Sequence, residues 1–323
     1  MSRLRRRLRP YYNGVASFGI GGLQRVSPWL GHAGNLRLGR LFGHAWYTLY
    51  WKHRRTALEN IRRIGLGGAT PRSRRRLARR SFVTAGSTVF EAVHATGWSP
   101  DYVRSIVTVE GESNWSDALA RGKGVVCVSA HYGGWPLVAL HLRYERDVPT
   151  AMIIRGGHHL RGVDPLRRMR ERHGVQHYEL RAGTLGYLRT LTGGGAVVLL
   201  ADLYPNKRRS VESEFLGRSI PSLSGYAEVA RLTGAAVLPV LTWRTDEDSR
   251  RHVIGFREPV FPDTSLEEGE DVRRMVRHAN RCFEEQIRRR PDQWLWMRDR
   301  WRFETARAAD RRRPLPSASS ALR

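Results

Sequence analysis

Gly122-Lys123-Gly124-Val125-Val126-Cys127-Val128-Ser129-Ala130-His131-Tyr132-Gly133-Gly134-Trp135-Pro136 is the stretch on which the fold turns. A glycine turn feeds a short apolar run, the mark of a strand buried on both faces, and the run ends in an imidazole. Two glycines then permit close backbone or substrate approach, and Pro136 suits the first turn of a following helix. Outward from this unit the pattern repeats. Strands are expected at 106–109, 150–154, 196–201, 235–242 and 251–256, with helices around 115–120, 137–144, 165–172, 184–191 and 224–232. A longer helix follows, with Val272, Val276, Ala279, Phe283 and Ile287 on one stripe and Pro291 at its end. Strands alternating with helices predict an α/β fold: a mostly parallel central sheet with helices on both faces.

With 323 residues, 41% hydrophobic and 27% charged, the chain is globular rather than disordered. Its formal net charge is +26, which suggests an anionic partner: a membrane surface, a nucleic acid or a phosphorylated substrate. Only Lys52, Lys123 and Lys207 among the 56 basic residues are lysine, so a GC-rich codon bias is an equal reading of that charge. No nucleic-acid-binding module is recognisable, and a nucleic-acid partner is not expected. Cys127 and Cys282 are the only cysteines, which leaves no disulfide framework and no cysteine metal cluster. No signal peptide and no spanning helix are expected, while attachment at a membrane surface stays open.

Three regions follow from composition. Residues 1–51 mix aromatic and basic side chains and read as an N-terminal helical extension. For 11–30 contact with lipid headgroups is the expectation, and for 35–51 a helical cap packed on the core. Residues 52–304 form the α/β domain. It opens with the most basic stretch of the chain, from Lys52 to Arg80, whose charges coat amphipathic helices. Residues 305–323, rich in Arg, Ser, Pro and Ala, are expected to be a disordered tail.

In open α/β sheets reactive groups collect at the carboxyl ends of strands, which selects His131 and Asp202. A histidine so placed takes a proton from an alcohol near neutral pH, or serves the structure alone. Arg218, after the Phe215-Leu216-Gly217 turn and near a helix expected to begin around Ser222, suits a phosphate or an edge-loop salt bridge. Gly193-Gly194-Gly195 precedes its strand and is a turn, not a dinucleotide loop. His158-His159 lacks helical ligand spacing, so no metal is expected.

Taken in order, several segments resemble a known family. They are Gly122-Lys123-Gly124, His131 to Trp135, Ala201-Asp202, Phe215 to Arg218, Gly225 to Ala230, Thr233 to Pro239, and Pro291 to Trp296 with Arg300-Trp301. The chain is similar to the bacterial lauroyl/myristoyl lipid A acyltransferases and the phosphatidylinositol mannoside acyltransferases. The likeness reaches upstream to Arg55, Asn60, Phe82 and Glu91.

That resemblance implies a glycerolipid acyltransferase-like fold. It also implies transfer of a fatty acyl group from acyl carrier protein or coenzyme A to a lipid-linked hydroxyl at the cytoplasmic face of the inner membrane. No cofactor is implied beyond the acyl-ACP or acyl-CoA co-substrate, and an anionic membrane surface is an expected partner. The family signature pairs a histidine base with a carboxylate five positions on, and here that position is Pro136. Either Asp202 or Glu214 replaces the carboxylate, or the imidazole works unaided, or the chain is a catalytically impaired lipid-binding homologue. Arg155, Arg218 and Arg170 are expected on anionic substrate groups; Trp135, Leu137, Leu223 and Tyr226 are candidates to line the acyl groove, with core packing the commoner fate of such residues.

Overall fold

The structure, a computed structural model, describes residues 3–146, 148–154, 164–179, 184–203, 210–245 and 250–301, with side chains from residue 21 onward and without that of Pro165. Arg155, His158, His159 and the expected tail lie outside the described residues. In chain order the helices are α1 (Arg3–Leu49), α2 (Trp51–Ile64), α3 (Pro71–Ala95), α4 (Pro100–Ile106), α5 (Glu112–Leu119), α6 (Leu137–Glu145), α7 (Pro165–Arg172), α8 (Thr184–Thr192), α9 (Gly225–Thr233) and α10 (Glu268–Arg289). The strands are β1 (Val107–Glu110), β2 (Val125–Ser129), β3 (Thr150–Ile154), β4 (Gln176–Glu179), β5 (Ala196–Leu200), β6 (Ser210–Glu214), β7 (Ser219–Leu223), β8 (Ala236–Arg244) and β9 (His252–Phe256).

Seven strands form one sheet in the order β1-β9-β8-β2-β5-β3-β4, and β6 and β7 form a separate antiparallel hairpin. Every neighbouring pair in the large sheet is parallel except β8 and β9. The opening stretch therefore supplies the middle strand: β2 pairs with β5 on one side and β8 on the other. All five β2 residues are buried. Val126, Val128 and Ala130 enter one core with Ile61, Phe82, Ala227 and Phe283, and Val125 and Cys127 enter a second with Val103, Trp115 and Leu140. Helices thus cover both faces, as the alternating pattern leads one to expect. Each such fully buried Val or Phe contributes about 1.5–3 kcal/mol relative to exposure.

Local signals set the helix ends. Thr70 caps α3 by accepting from the Ser73 amide, with Pro71 in the first turn, and Glu267 caps α10 by accepting from the Gly269 and Glu270 amides. α1 breaks at Gly31, and its second part lies along α3. The two helices meet backbone to backbone, for a Cβ on Gly43 would stand 2.5 Å from the Phe82 carbonyl oxygen. Residues 35–49 thus cap the core through buried Asn35, Leu36 and Gly39.

Three strands depart from the expectation. β4 (QHYE), β6 (SVESE) and β7 (SIPSL) carry almost no apolar run, because each lies at a sheet edge or in a hairpin with a solvent-facing side. The helix expected from Ser222 begins at Gly225 instead. Ser222 is a buried residue of β7 whose hydroxyl accepts from Asn280 and Arg300.

Candidate active site

Strand register creates the site. Ser129 of β2 lies opposite Leu200 of β5, so two residues past each partner His131 and Asp202 emerge side by side at the carboxyl edge. The His131 Nδ1 to Asp202 Oδ1 distance is 2.7 Å. The second carboxylate oxygen, Oδ2, accepts from the Trp294 indole at 2.8 Å. The tautomer in which Nδ1–H donates to Asp202 carries its lone pair on Nε2, which has no hydrogen bond to any described residue. The His131 side chain is 22% exposed, whereas that of Asp202 is fully buried.

Burial alone pushes the Asp202 carboxyl up. The adjoining His131, its hydrogen bond and that of Trp294 pull harder the other way, holding it below the ordinary carboxylate range. The buried Arg300 guanidinium stands in the same field, lowered to about 10 by desolvation and sustained by Asp202. It donates to the Pro221 carbonyl and the Ser222 hydroxyl and lies over the Phe215 ring. A buried carboxylate bonded to an imidazole with a free ring nitrogen is an arrangement able to act as a general base, and Trp294, which completes it, packs in the core against the Trp296 and Trp301 rings.

The loop after His131 is held from below. Tyr132 donates to the Gln286 and Arg290 carbonyls, the Gly133 amide to the Gln293 carbonyl, and Thr88 to the Gly133 carbonyl. Gly133 has φ +52, and a Cβ there would stand 2.2 Å from the Thr242 carbonyl oxygen. The close approach that the two glycines permit is therefore to the protein itself: to the Thr242 backbone at Gly133, and to the His252 ring at Gly134, where a Cβ would stand 2.5 Å from Nδ1. Gly133→Ala combines left-handed strain with the clash against Thr242, and we expect a loss of about 1–3 kcal/mol or more in urea unfolding, with a fall in turnover as His131 shifts.

Pro136 stands at the N-cap of α6 with no acceptor for an imidazole proton. Asp202, on the neighbouring strand, occupies that role geometrically. Glu214 does not: strand alternation on β6 turns Ser213 and Phe215 inward and leaves Glu214 exposed, and among the described residues the carboxylate bonded to His131 is that of Asp202. Trp135 stacks edge-on against the His131 ring at 5.4 Å between centroids. Of the candidates for the acyl groove, Leu137 and Tyr226 take the other course and pack in the core.

The three arginines separate. Arg155 lies outside the described residues. Arg170 of α7 is buried; its Nη1 lies 4.0 Å from the Met152 sulfur and its Nε has no partner among the described residues. Burial pulls its guanidinium below the usual value. Arg218 is half-buried at the hairpin turn and donates to the Arg63 carbonyl at 3.5 Å, which ties the hairpin to the end of α2. Sequence reading missed Trp294 as a site residue. It sits in the Pro291 to Trp296 segment, but nothing in that segment tells an indole donating to a carboxylate from one packed in the core.

Among the described residues no group of three or more His, Cys, Asp or Glu side chains could hold a metal, and no helix is long and apolar enough to cross a membrane. Comparison with known proteins bears out the resemblance. The family model for bacterial lipid A biosynthesis acyltransferases matches residues 2–303, which takes in the N-terminal helix as well as the sheet. A lipid A biosynthesis palmitoleoyltransferase of Escherichia coli (strain K12) is 26% identical over 243 residues, covering 71% of this chain and 72% of that protein. A lipid A biosynthesis acyltransferase of Shigella flexneri matches with the same figures. Among solved structures, the 1-acyl-sn-glycerophosphate acyltransferase PlsC from Thermotoga maritima aligns over 79% of this chain and 97% of its own, at 17% identity and a TM-score of 0.37. On the strength of the match over residues 2–303, this chain belongs to the bacterial lipid A biosynthesis acyltransferase family.

Proposed function

We propose that this O-acyltransferase moves a fatty acyl group from a thioester of acyl carrier protein or coenzyme A to a hydroxyl of a glycolipid or phospholipid acceptor, with His131 as general base and Asp202 as its orienting carboxylate. The observation that carries the reading is the hydrogen-bonded chain from Trp294 through Asp202 to His131. It supplies, from the next strand, the carboxylate that Pro136 lacks. His131 Nε2 takes the acceptor hydroxyl proton as the oxygen attacks the thioester carbonyl, and the buried Asp202 charge stabilises the imidazolium that forms. Collapse of the tetrahedral intermediate expels the thiolate, which receives the proton back from His131 and leaves as the thiol. The thioester brings the reactive acyl group, so this chemistry needs neither a metal nor a resident cofactor. The anionic side of the substrates falls to Arg155, Arg170 and Arg218. The working place is a membrane surface at the cytoplasmic face, occupied peripherally.

Thioester turnover by purified protein in liposomes, with acyl carrier protein and coenzyme A donors and lipid extract as acceptor, tests this directly. We expect His131→Ala to lose about 10³-fold or more in kcat against wild type. A His131→Ala protein with full turnover would sink the reading, and a wild type inert with every donor and acceptor would favour an impaired lipid-binding homologue.

A further inference from the structure

The charge of this chain is not spread evenly, and one part of it surrounds a cleft. Between α2 and α3 lies a cavity of about 360 Å³ lined by Trp51, Arg54, Arg55, Arg62, Arg74 and Arg75 among others. One carboxylate, Glu59, enters it, and Arg62 grips that carboxylate through Nε and Nη2 at 3.2 and 2.9 Å. Arg54 donates to the Tyr47 and Thr48 carbonyls. The guanidinium groups of Arg55, Arg74 and Arg75 have no hydrogen-bond or ion-pair partner among the described residues. The cleft therefore holds a surplus of guanidinium groups, in the size range of a small-molecule site, and its own residues leave that surplus unneutralised.

The rim of this cleft is apolar. Trp51 belongs both to its lining and to an exposed run with Leu49 and Tyr50. Leu41 and Phe42 on the second part of α1 are exposed as well, and before the break at Gly31 Trp29 is 90% exposed. Helical spacing explains the segregation: Leu36, Gly39 and Gly43 lie toward α3, so Leu38, Leu41 and Leu49 face out, with the half-exposed Phe42 at the border, its ring 5.6 Å from that of Phe90 on α3. Exposed rings and aliphatic side chains beside unpaired guanidinium groups fit a boundary where apolar chains meet phosphate. A free phosphate or a nucleic acid would satisfy the arginines and leave the apolar run in water.

We propose that the α2–α3 cleft is a headgroup site for an anionic phospholipid, its phosphate held by Arg55, Arg74 and Arg75, with Trp51, Tyr50 and the outer face of α1 seated in the same leaflet. The site deepens the reading that the enzyme works at a membrane surface. It lies outside the His131–Asp202 machinery, so binding and chemistry can fail separately.

The test is sedimentation of the full chain with phosphatidylcholine vesicles with and without phosphatidylglycerol, at several salt concentrations. Wild type is expected on the phosphatidylglycerol vesicles, releasing as salt rises. Arg74→Glu with Arg75→Glu is expected to weaken that binding about tenfold or more. Trp51→Ala is expected to weaken it severalfold at every salt concentration. The control is Arg121→Glu with Arg281→Glu, the same charge change in a separate cavity, which should weaken binding far less. Arg74→Gln with Arg75→Gln repeats the test should the reversal unfold the chain. Equal losses in the test and control pairs would overturn the headgroup site. So would displacement of wild type from the vesicles by inorganic phosphate at a concentration that leaves its ionic-strength match, sodium chloride, without effect. Turnover of a detergent-dispersed acceptor by the Arg74→Glu, Arg75→Glu protein is expected at the wild-type rate, which separates loss of docking from loss of catalysis.

Discussion

Asp202→Asn is expected to cut kcat by about 10²–10⁴-fold with little change in the fold. The carboxylate now accepts on both sides, from the His131 ring and from the Trp294 indole. A carboxamide has one oxygen for two donors. If that oxygen stays with Trp294, the amide NH₂ faces His131 Nδ1, which must then accept. The ring proton is thereby forced onto Nε2, where no base can act. If the oxygen turns to His131, the NH₂ abuts the Trp294 indole N–H and a buried donor is left unmet. The imidazolium also loses the buried charge that stabilises it in the transition state. The check is kcat and KM for Asp202→Asn alone and combined with His131→Ala. If the pair acts as one unit, the double variant is no slower than His131→Ala. Glu214→Gln, on the exposed side of β6, is expected at the wild-type rate. An Asp202→Asn protein with unchanged kcat would falsify the orienting role.

The largest stability effect is expected at Glu91, where four elements meet. Its Oε2 takes the Arg244 guanidinium of β8, and its Oε1 takes Arg244 Nη1, His252 of β9 at 2.9 Å and His32 of α1 at 2.7 Å. His32 reaches on to the Tyr102 hydroxyl of α4. Glu91, Arg244 and His252 are all buried. Burial pushes the Glu91 carboxyl up, but Arg244 and His252 overcome it and hold the group well below the carboxylate range. Glu91→Ala strands the Arg244 charge in the core, and we expect a loss of about 3–5 kcal/mol in urea unfolding. Glu91→Gln should recover only part of this, for it restores the shape and not the charge.

The same cluster sets the acid limit. Desolvation holds His252 below the usual imidazole value, so the unfolded chain binds that proton more readily. Its contribution is complete above about pH 6.5 and is lost as pH falls below that. His141, pushed down to about 4 by burial, adds the same sign over the same window, and Glu91 follows below the ordinary carboxylate pKa. Unfolding midpoints should fall continuously from neutral pH downward.

Much of the sheet is legible because its inner strands are buried on both faces. β2, β3 and β5 read directly as apolar runs, and their ends fall within a residue of the expected limits. β4, β6 and β7 are not legible, since edge and hairpin strands are stabilised by pairing that leaves no mark in a single segment. The site divides in the same way. His131 and Asp202 were each visible as polar residues ending a strand. What the sequence withholds is the register that sets β2 against β5, and with it the choice of Asp202 over Glu214. Trp294 was hidden further, because its role depends on a packing partner 92 residues away in sequence.

The central position of β2 also governs when the protein can begin to work. A chain emerging from the ribosome presents β2 well before its partners, for its two sheet neighbours, β5 and β8, and the Trp294 donor come from far later in the sequence. Such long-range pairings form late and only cooperatively. Vectorial synthesis thus yields no partly competent fragment: a chain halted at α10 holds both members of the His131–Asp202 pair but not the indole that completes it. On the mechanism proposed above, in which Trp294, Asp202 and His131 act as one chain, turnover begins only once nearly the whole domain has been released.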